Sequence, residues 1–335
     1  MRLSRVHPSS RGSARAALAA FLAALIAALA AACGSGEAEP PQSLDFSGRA
    51  VGEAFNPDVQ PVVLNSALGV GSNRLALGLF RSDTSLLLEA SGSVWIYGLD
   101  ESRQGAFRAS YELERAAFSQ TTDHTHDDGS THVHHDAFAA VFHANVDFDR
   151  TGHWAAALDI EIEGKRHRGL LVQPFIVLDR TPEPQVGDPL PESPHLTLGD
   201  GAEISAVSSM SEPVPEMNEL TVPEAVATGK PVLVAIATPA YCQSRFCGPL
   251  MDAVVVPLWE EFGGEVQFVH VEPYALDEVR SSGRLVPVPL LEEWQLQTEP
   301  WVFIAGRGGT VTAKFEGVAS LDEVRAALVA AIGAQ

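Results

Sequence analysis

Several things are scarce in this chain of 335 residues. It has three cysteines, four methionines and four tyrosines. So few cysteines exclude a small fold held together by many disulfides. Positive charge is also scarce: 22 Lys and Arg stand against 43 Asp and Glu, a formal net charge of -21. Arg2, Arg5, Arg11 and Arg15 fall in the first 32 residues, which carry no acid, so the rest is more acidic still. Such a body lacks the basic surface that neutralises phosphate, which excludes nucleic acid as a partner. What is abundant is apolar: hydrophobic residues make up 46% of the chain. That is enough to build cores and excludes a disordered chain. The length suggests about two domains.

The arginine-rich start, the unbroken Ala, Leu, Phe and Ile of residues 16–32, and the polar stretch after Cys33 have the three-part layout of a secretory signal. Leu29-Ala-Ala-Ala-Cys33 resembles a bacterial lipobox, with Ala30 where the motif usually has leucine. The resemblance implies removal of residues 1–32, lipidation of Cys33 and attachment to a membrane. An uncleaved anchor is the alternative, the apolar run being at the short edge of a span. Either way the body lies outside the cytoplasm, where a disulfide persists. Residues 33–47, rich in Gly, Ser, Glu and Pro, read as a flexible tether.

Residues 48–180 read as an all-β domain. Phe138, Ala140, Phe142, Ala144, Val146 and Phe148 alternate, and Trp154 to Ile162 repeat the pattern with Asp159, Glu161 and Glu163 opposite. Period two marks half-buried antiparallel strands. Turns are expected at residues 149–152 and 163–165, and a further strand at 170–178. Shorter candidates lie at 74–80, 85–89, 93–97 and 107–112. About seven strands at this spacing suggest an immunoglobulin-like sandwich. Thr151-Gly152-His153-Trp154 and the strand after it resemble small exported β-sandwich modules of the FixH or CopC kind.

Five of the eleven histidines, His124, His126, His132, His134 and His135, crowd into one segment of this domain with aspartates between them. A turn at Gly129-Ser130 brings the two His-x-His halves together. Imidazoles converging with carboxylates suit Cu²⁺, Zn²⁺ or Ni²⁺, so Cu or Zn is the cofactor to consider there. A solvated low-complexity loop is the plainer reading. His143, His153 and His167 read as polar-face or turn residues.

Five prolines (Pro182, Pro184, Pro189, Pro191 and Pro194) open residues 181–217, which read as a stiff linker with one short strand at 204–207. From 218 to 335 helix and strand signals alternate, the α/β pattern. Thr221-Val-Pro-Glu224 and Ser320-Leu-Asp-Glu323 are capping boxes. Strands are expected at 231–237, 266–271, 301–305 and 311–315, with helices at 221–228, 249–262, 290–296 and from Ser320. The last places Val324, Ala327, Leu328 and Ile332 on one face.

The strand at 231–237 runs into a loop holding Cys242 and Cys247, and a helix follows. Cys247-Gly-Pro, Glu299-Pro300 before an apolar strand, and Glu316-Gly317 before a capped helix together resemble the thioredoxin family. The resemblance covers about residues 219–333. It implies an α/β thioredoxin-like C-terminal domain, thiol–disulfide exchange by Cys242 and Cys247, and a disulfide between them. It also implies a cis-proline at Pro300 that shapes a client groove. No cofactor is then required. The partners would be exported cysteine-containing proteins and a redox partner.

The spacing departs from the family: Cys-x₄-Cys instead of Cys-x₂-Cys. Positions i and i+5 lie on different helix faces, so Cys242 belongs in the loop and Cys247 at the helix start. In chain order Cys242 matches the family's exposed nucleophile; by the Cys-Gly-Pro match Cys247 does. The helix end and nearby Arg245 favour Cys247 as the more acidic thiol. No Asp or Glu lies between Lys230 and Cys242, so the family's buried acid is missing. Two rival readings stand beside exchange. One is a metal (copper) chaperone that uses the cysteines and the histidine segment; proteins of the Sco kind do such work with a Cys-x₃-Cys pair and a distal His. The other is a redox-inert interaction domain. His270, on an expected strand, reads as structural.

Overall fold

The computed structural model describes residues 39–47, 58–125, 131–244 and 246–334; in 119–125 and 131–137 it describes the backbone alone. Residues 1–32 (read as the signal), Cys33 and the tether up to residue 38 lie outside the described residues. Among the described residues no helix is long and apolar enough to cross a membrane. The unit from Gln42 to Gln335 is mixed α/β, mostly sheet.

Ten strands build two sheets. β1 (Ser43–Asp45), β2 (Gln60–Val63), β3 (Leu68–Gly69), β4 (Gly71–Phe80), β5 (Ser91–Leu99), β6 (Gln104–Glu112), β7 (Glu114–Thr125), β8 (Thr131–Phe148), β9 (Gly152–Ile162) and β10 (Lys165–Leu178) follow in order. One sheet runs β1-β6-β5-β9-β10-β3 and the other β2-β4-β8-β7. Leu75, Leu77, Leu79, Phe142, Val146 and Phe148 of the second meet Ile96, Trp154, Leu158, Ile160 and Val172 of the first in one core. The expected alternation is therefore what packs the two layers.

Four sequence expectations change here. Residues 42–46 are not tether: β1 pairs with β6 and Phe46 is fully buried. Residues 85–89 make only an isolated pairing of Leu86 with Phe80. β7 continues where a loop was expected, because its polar outer half hides the period. Residues 204–207 form a helical turn, short apolar runs being ambiguous in type.

The larger difference concerns the far face of the second sheet. It was expected to meet water, but Ala76, Ala116, Phe118, Ala139 and Val141 are buried in a second core. That core is shared with the C-terminal part of the chain. Small residues at four of these five positions let another layer approach closely. Phe138, expected inside, is 39% exposed.

The C-terminal part holds a third sheet, β12-β11-β13-β14. Its strands are β11 (Val232–Ile236), β12 (Gln267–Val271), β13 (Trp301–Ala305) and β14 (Val311–Glu316). β11 runs parallel to β12 and antiparallel to β13. Helices α1 (Ile204–Val207), α2 (Val222–Ala227), α3 (residues 247–262), α4 (Leu276–Ser282), α5 (Pro289–Glu293) and α6 (Leu321–Gly333) surround it. α3 begins as Cys247–Leu250, widens to a π turn at Met251–Val255 and ends as Val256–Phe262. Pro257 explains the π turn, since it has no N–H to give and crowds the preceding turn. β11 is buried on both faces: Val232, Val234 and Ile236 join Trp294, Trp301 and Phe303, while Leu233 and Ala235 join the core shared with β7 and β8.

The proline-rich stretch is extended, as expected, but not free. Gly187 and Leu190 donate N–H to the carbonyls of Val311 and Gly309, and Asp188 accepts from Val311. Leu190 is buried, and Ser193 accepts from the Trp294 indole at 3.0 Å. The non-proline residues make the backbone bonds that the prolines cannot.

Both capping boxes form. Glu323 has a second role. Its carboxylate takes a forked pair of bonds from Arg74 of β4 at 2.8 and 3.1 Å, and lies 3.1 Å from His143 Nε2 of β8. His143 is therefore no polar-face residue; it is buried at this contact. Burial disfavours the Glu323 charge, but bonds from His143, Arg74 and the Ser320 N–H outweigh it and hold the carboxyl far below its usual range.

A carboxyl with a depressed folded pKa adds stability above its ordinary value, 4.5, and loses it as pH falls toward the folded value. Glu323→Gln should unfold at lower urea concentration at pH 7, by about 3 kcal/mol, because the largely enclosed Arg74 keeps only the Val318 carbonyl and loses its ionic partner. The gap to wild type should narrow as pH falls below about 4.5. A gap independent of pH would show that the charge is not what matters.

Candidate functional site

β11 delivers the chain to the loop 237–246 at the edge of the shared core. Cys242 lies in this loop, half-buried, and Cys247 is the first residue of α3, fully buried. This is the placement expected from the spacing. Both cysteines are free thiols in this structure. The Cys247 N–H points at Cys242 Sγ, 3.3 Å away. The N-cap residue, Phe246, makes no side-chain cap. The Cys242 sulfur thus takes the acceptor role that a capping side chain fills elsewhere.

That contact reverses the expected order of acidity. The free N–H groups of a helix point out of its end, at whatever sits in front of it. Here that is Cys242, not the cysteine on the first turn. The Cys242 thiol is brought down to about 6 by the Cys247 thiol, the Ser244 hydroxyl and the N–H groups of Cys247 and Phe246, against the effect of burial. Cys247 is pushed well above the usual thiol range by its bond to Cys242, by burial and by the Cys242 charge. Arg245, the other support for Cys247, lies outside the described residues. One thiol is half-buried and acidic, the other fully buried and protonated.

The Glu299–Pro300 bond is cis. Glu299 ties this corner to the cysteine loop in two ways. Its carbonyl accepts from Ser244 Oγ at 3.2 Å, and its carboxylate accepts from the Gln243 N–H at 3.3 Å. Ser244 Oγ is also 3.1 Å from Cys242 Sγ. A hydroxyl has one proton. It can serve the Glu299 carbonyl while Cys242 is a thiol, and turn to the sulfur once Cys242 is a thiolate. The Tyr274 hydroxyl donates to the other Glu299 oxygen at 3.1 Å. Burial and the Glu299 charge push the Tyr274 phenol above its usual range.

β7 and β8 reach this site from the other layer. The rings of Phe118 and Phe246 lie 6.4 Å apart, so the hairpin braces the cysteine loop. Further along, the register sets His124 opposite His132, Thr122 opposite His134 and Thr121 opposite His135. His124 of the first half and His132 and His134 of the second thus belong to facing strands. His126 and the turn lie outside the described residues, and so do the side chains of His124, His132, His134 and His135. Among the described residues, no three His, Cys, Asp or Glu side chains are grouped to hold a metal ion.

His270 is buried under the start of the loop, with Nε2 3.0 Å from the Ala237 carbonyl. Glu272 beside it accepts from the Ser209 N–H at 2.6 Å. Sequence patterns singled out none of Ser244, Tyr274, Phe118 or Phe246. Glu299 was visible only as the neighbour of Pro300. The signal that would have found it is that a residue before a cis-proline is held against whatever the proline faces.

No protein-family model matches this chain, and no curated protein matches it. The chemistry of the site therefore rests on its geometry.

Alkylation with iodoacetamide across a pH series, read by mass spectrometry, should label Cys242 with a midpoint near 6 and leave Cys247 unlabelled in the folded protein. Ser244→Ala should move that midpoint upward. Preferential labelling of Cys247 would overturn the assignment.

Proposed function

We propose that this protein carries out thiol–disulfide exchange outside the cytoplasm, with Cys242 as nucleophile and Cys247 as resolving thiol. The observation that carries the proposal is the asymmetry of the pair: an acidic, accessible sulfur at a helix end beside a buried, protonated one. Thiolate is the attacking species, so Cys242 reacts first. Cys247 then attacks the mixed disulfide and releases the client. Pro300, next to the loop, lines the groove in which a client segment lies.

The C-terminal module reads as thioredoxin-like. Its support is the strand order β12-β11-β13-β14, the Cys loop between β11 and α3, and the cis-proline before β13. The β1–β10 layers read as an immunoglobulin-like sandwich. Export, and anchoring through a lipid on Cys33, rest on the arginine-rich start and the lipobox-like ending. The clients are exported proteins with cysteines, and a redox partner resets the pair. A second reading, delivery of Cu or Zn, draws on the Phe118–Phe246 contact, which joins the histidine hairpin to the cysteine loop.

A thiolate near 6 stabilises the dithiol form and makes the pair more oxidising than one with a neutral-pH thiol. Its reduction potential, read by thiol trapping in redox buffers, should fall between about −270 and −120 mV. Slow exchange with glutathione and a potential below about −300 mV would mark a structural disulfide instead. A pair that stays reduced and takes up copper would favour the second reading.

A further inference from the structure

Resolution needs a proton acceptor for Cys247. Its thiol is fully buried, and its neighbours hold it protonated. A protonated thiol does not attack a disulfide. No acid stands on the strand that leads into the loop, since none occurs from Lys230 to Cys242. Glu272, a buried carboxylate just past β12, turns one oxygen to the Ser209 N–H and to His270, neither of which belongs to the cysteine loop.

Glu299 is differently placed. Its carboxylate is fixed by the Gln243 N–H, one residue from Cys242, and by the Tyr274 hydroxyl. Its carbonyl is fixed by Ser244, which touches Cys242. Two bonds to its carboxylate and one to its carbonyl thus fix Glu299, two of the three coming from the loop that joins the cysteines. The same Ser244 hydroxyl lies 3.1 Å from Cys242 Sγ, and that sulfur accepts from the Cys247 N–H at 3.3 Å, so one run of contacts joins Glu299 to both cysteines. Each carboxylate oxygen has a second lone pair beyond the bond it accepts.

We propose that Glu299 is the general base for the resolving step, taking the Cys247 proton directly or through one water. This rests on the exchange reading above. The step balances as follows. Cys242 thiolate attacks a client disulfide, and the first client sulfur leaves as thiolate. In the mixed disulfide the Cys242 charge is gone, which removes one cause of the high Cys247 pKa. Cys247 gives its proton to Glu299, and its sulfur attacks Cys242 Sγ. The Cys242–Cys247 bond forms, the Cys242–client bond breaks, and the second client sulfur leaves with the electron pair. Protonated Glu299 can return its proton to that sulfur. The client disulfide is the oxidant, and the two enzyme thiols are oxidised. In the oxidising direction the same residue, protonated, gives its proton to Cys247 as it leaves.

The test is a single turnover of the reduced full chain with oxidised glutathione, quenched in acid and read by mass spectrometry. Wild type should show a short-lived mixed disulfide on Cys242 that decays at a rate varying little from about pH 6 to 8. Glu299→Gln keeps the shape: its amide oxygen can still accept from the Gln243 N–H, and its NH₂ can donate to the Tyr274 hydroxyl. It should form the mixed disulfide within about threefold of the wild-type rate, yet resolve it about 100-fold more slowly at pH 7, with a rate that rises with pH. Glu299→Asp should recover part of the loss. Resolution by Glu299→Gln at the wild-type rate would overturn the proposal. So would equal slowing of both steps at every pH, the sign of a loosened loop. If wild type forms no mixed disulfide at any pH, the exchange reading itself fails.

Discussion

At its centre the sheet β2-β4-β8-β7 is packed on both faces, and that constraint organises the molecule. A strand buried on one side can alternate apolar and polar residues; one buried on both cannot. β4 and β8 meet this by dividing their side chains by size. Larger residues such as Leu75, Leu77, Phe142 and Phe148 fill the space between the two β-layers, while Ala76, Ala139 and Val141 let the α/β layer come close. The price is that polar groups are trapped at the seam. Arg74 and His143 sit on the crowded face, and both converge on Glu323 at the start of α6. Burying a charge there is tolerable because the fork from Arg74 and the cap at Ser320 use the carboxylate's lone pairs.

The same sheet reaches the cysteines. A loop with four residues between its cysteines has more conformations than one with two, and each extra free residue opposes holding sulfur and amide 3.3 Å apart. The loop is held on several sides. Ser244 and Gln243 are bonded to Glu299, and the Phe246 ring packs at a tilt against Phe118 of the hairpin. The β-module is therefore part of the environment of Cys242, because Phe246 directly precedes the Cys247 N–H that meets the sulfur and gives its own N–H to Ser244, which touches it. A longer loop without that brace would sample arrangements in which the helix end faces solvent instead of the thiol.

Much of this was legible in the sequence. Period two located β4, β5, β8 and β9, and the capping boxes marked the starts of α2 and α6. The spacing of Cys242 and Cys247 was enough to put one in the loop and the other on the helix. What was not legible was contact across layers. No local signal says that the outer face of β8 is covered, so His143 read as a surface residue. Nor does one say which way a helix end points, so the dipole argument was attached to Cys247 when its object was Cys242. β7 was hidden because its outer half is polar, although its inner half carries Ala116 and Phe118. α4 was missed because its buried residues, Leu276 and Val279, make only one helical spacing.

These misses share a cause that bears on the chemistry. Propensity and period describe what a segment does with its own hydrogen bonds, but the acidity of a thiol depends on groups brought from elsewhere. In this protein the groups on Cys242 come from its own loop and helix, which the sequence does encode. The groups that decide whether the loop stays in that arrangement come from β7 and from the Glu299 corner, more than fifty positions away on each side. Local sequence therefore determines that a reactive cysteine can exist at 242, and long-range packing determines that it does. A change in the β-module that spared the cysteines and left the third sheet intact would still act on the sulfur, through Phe246.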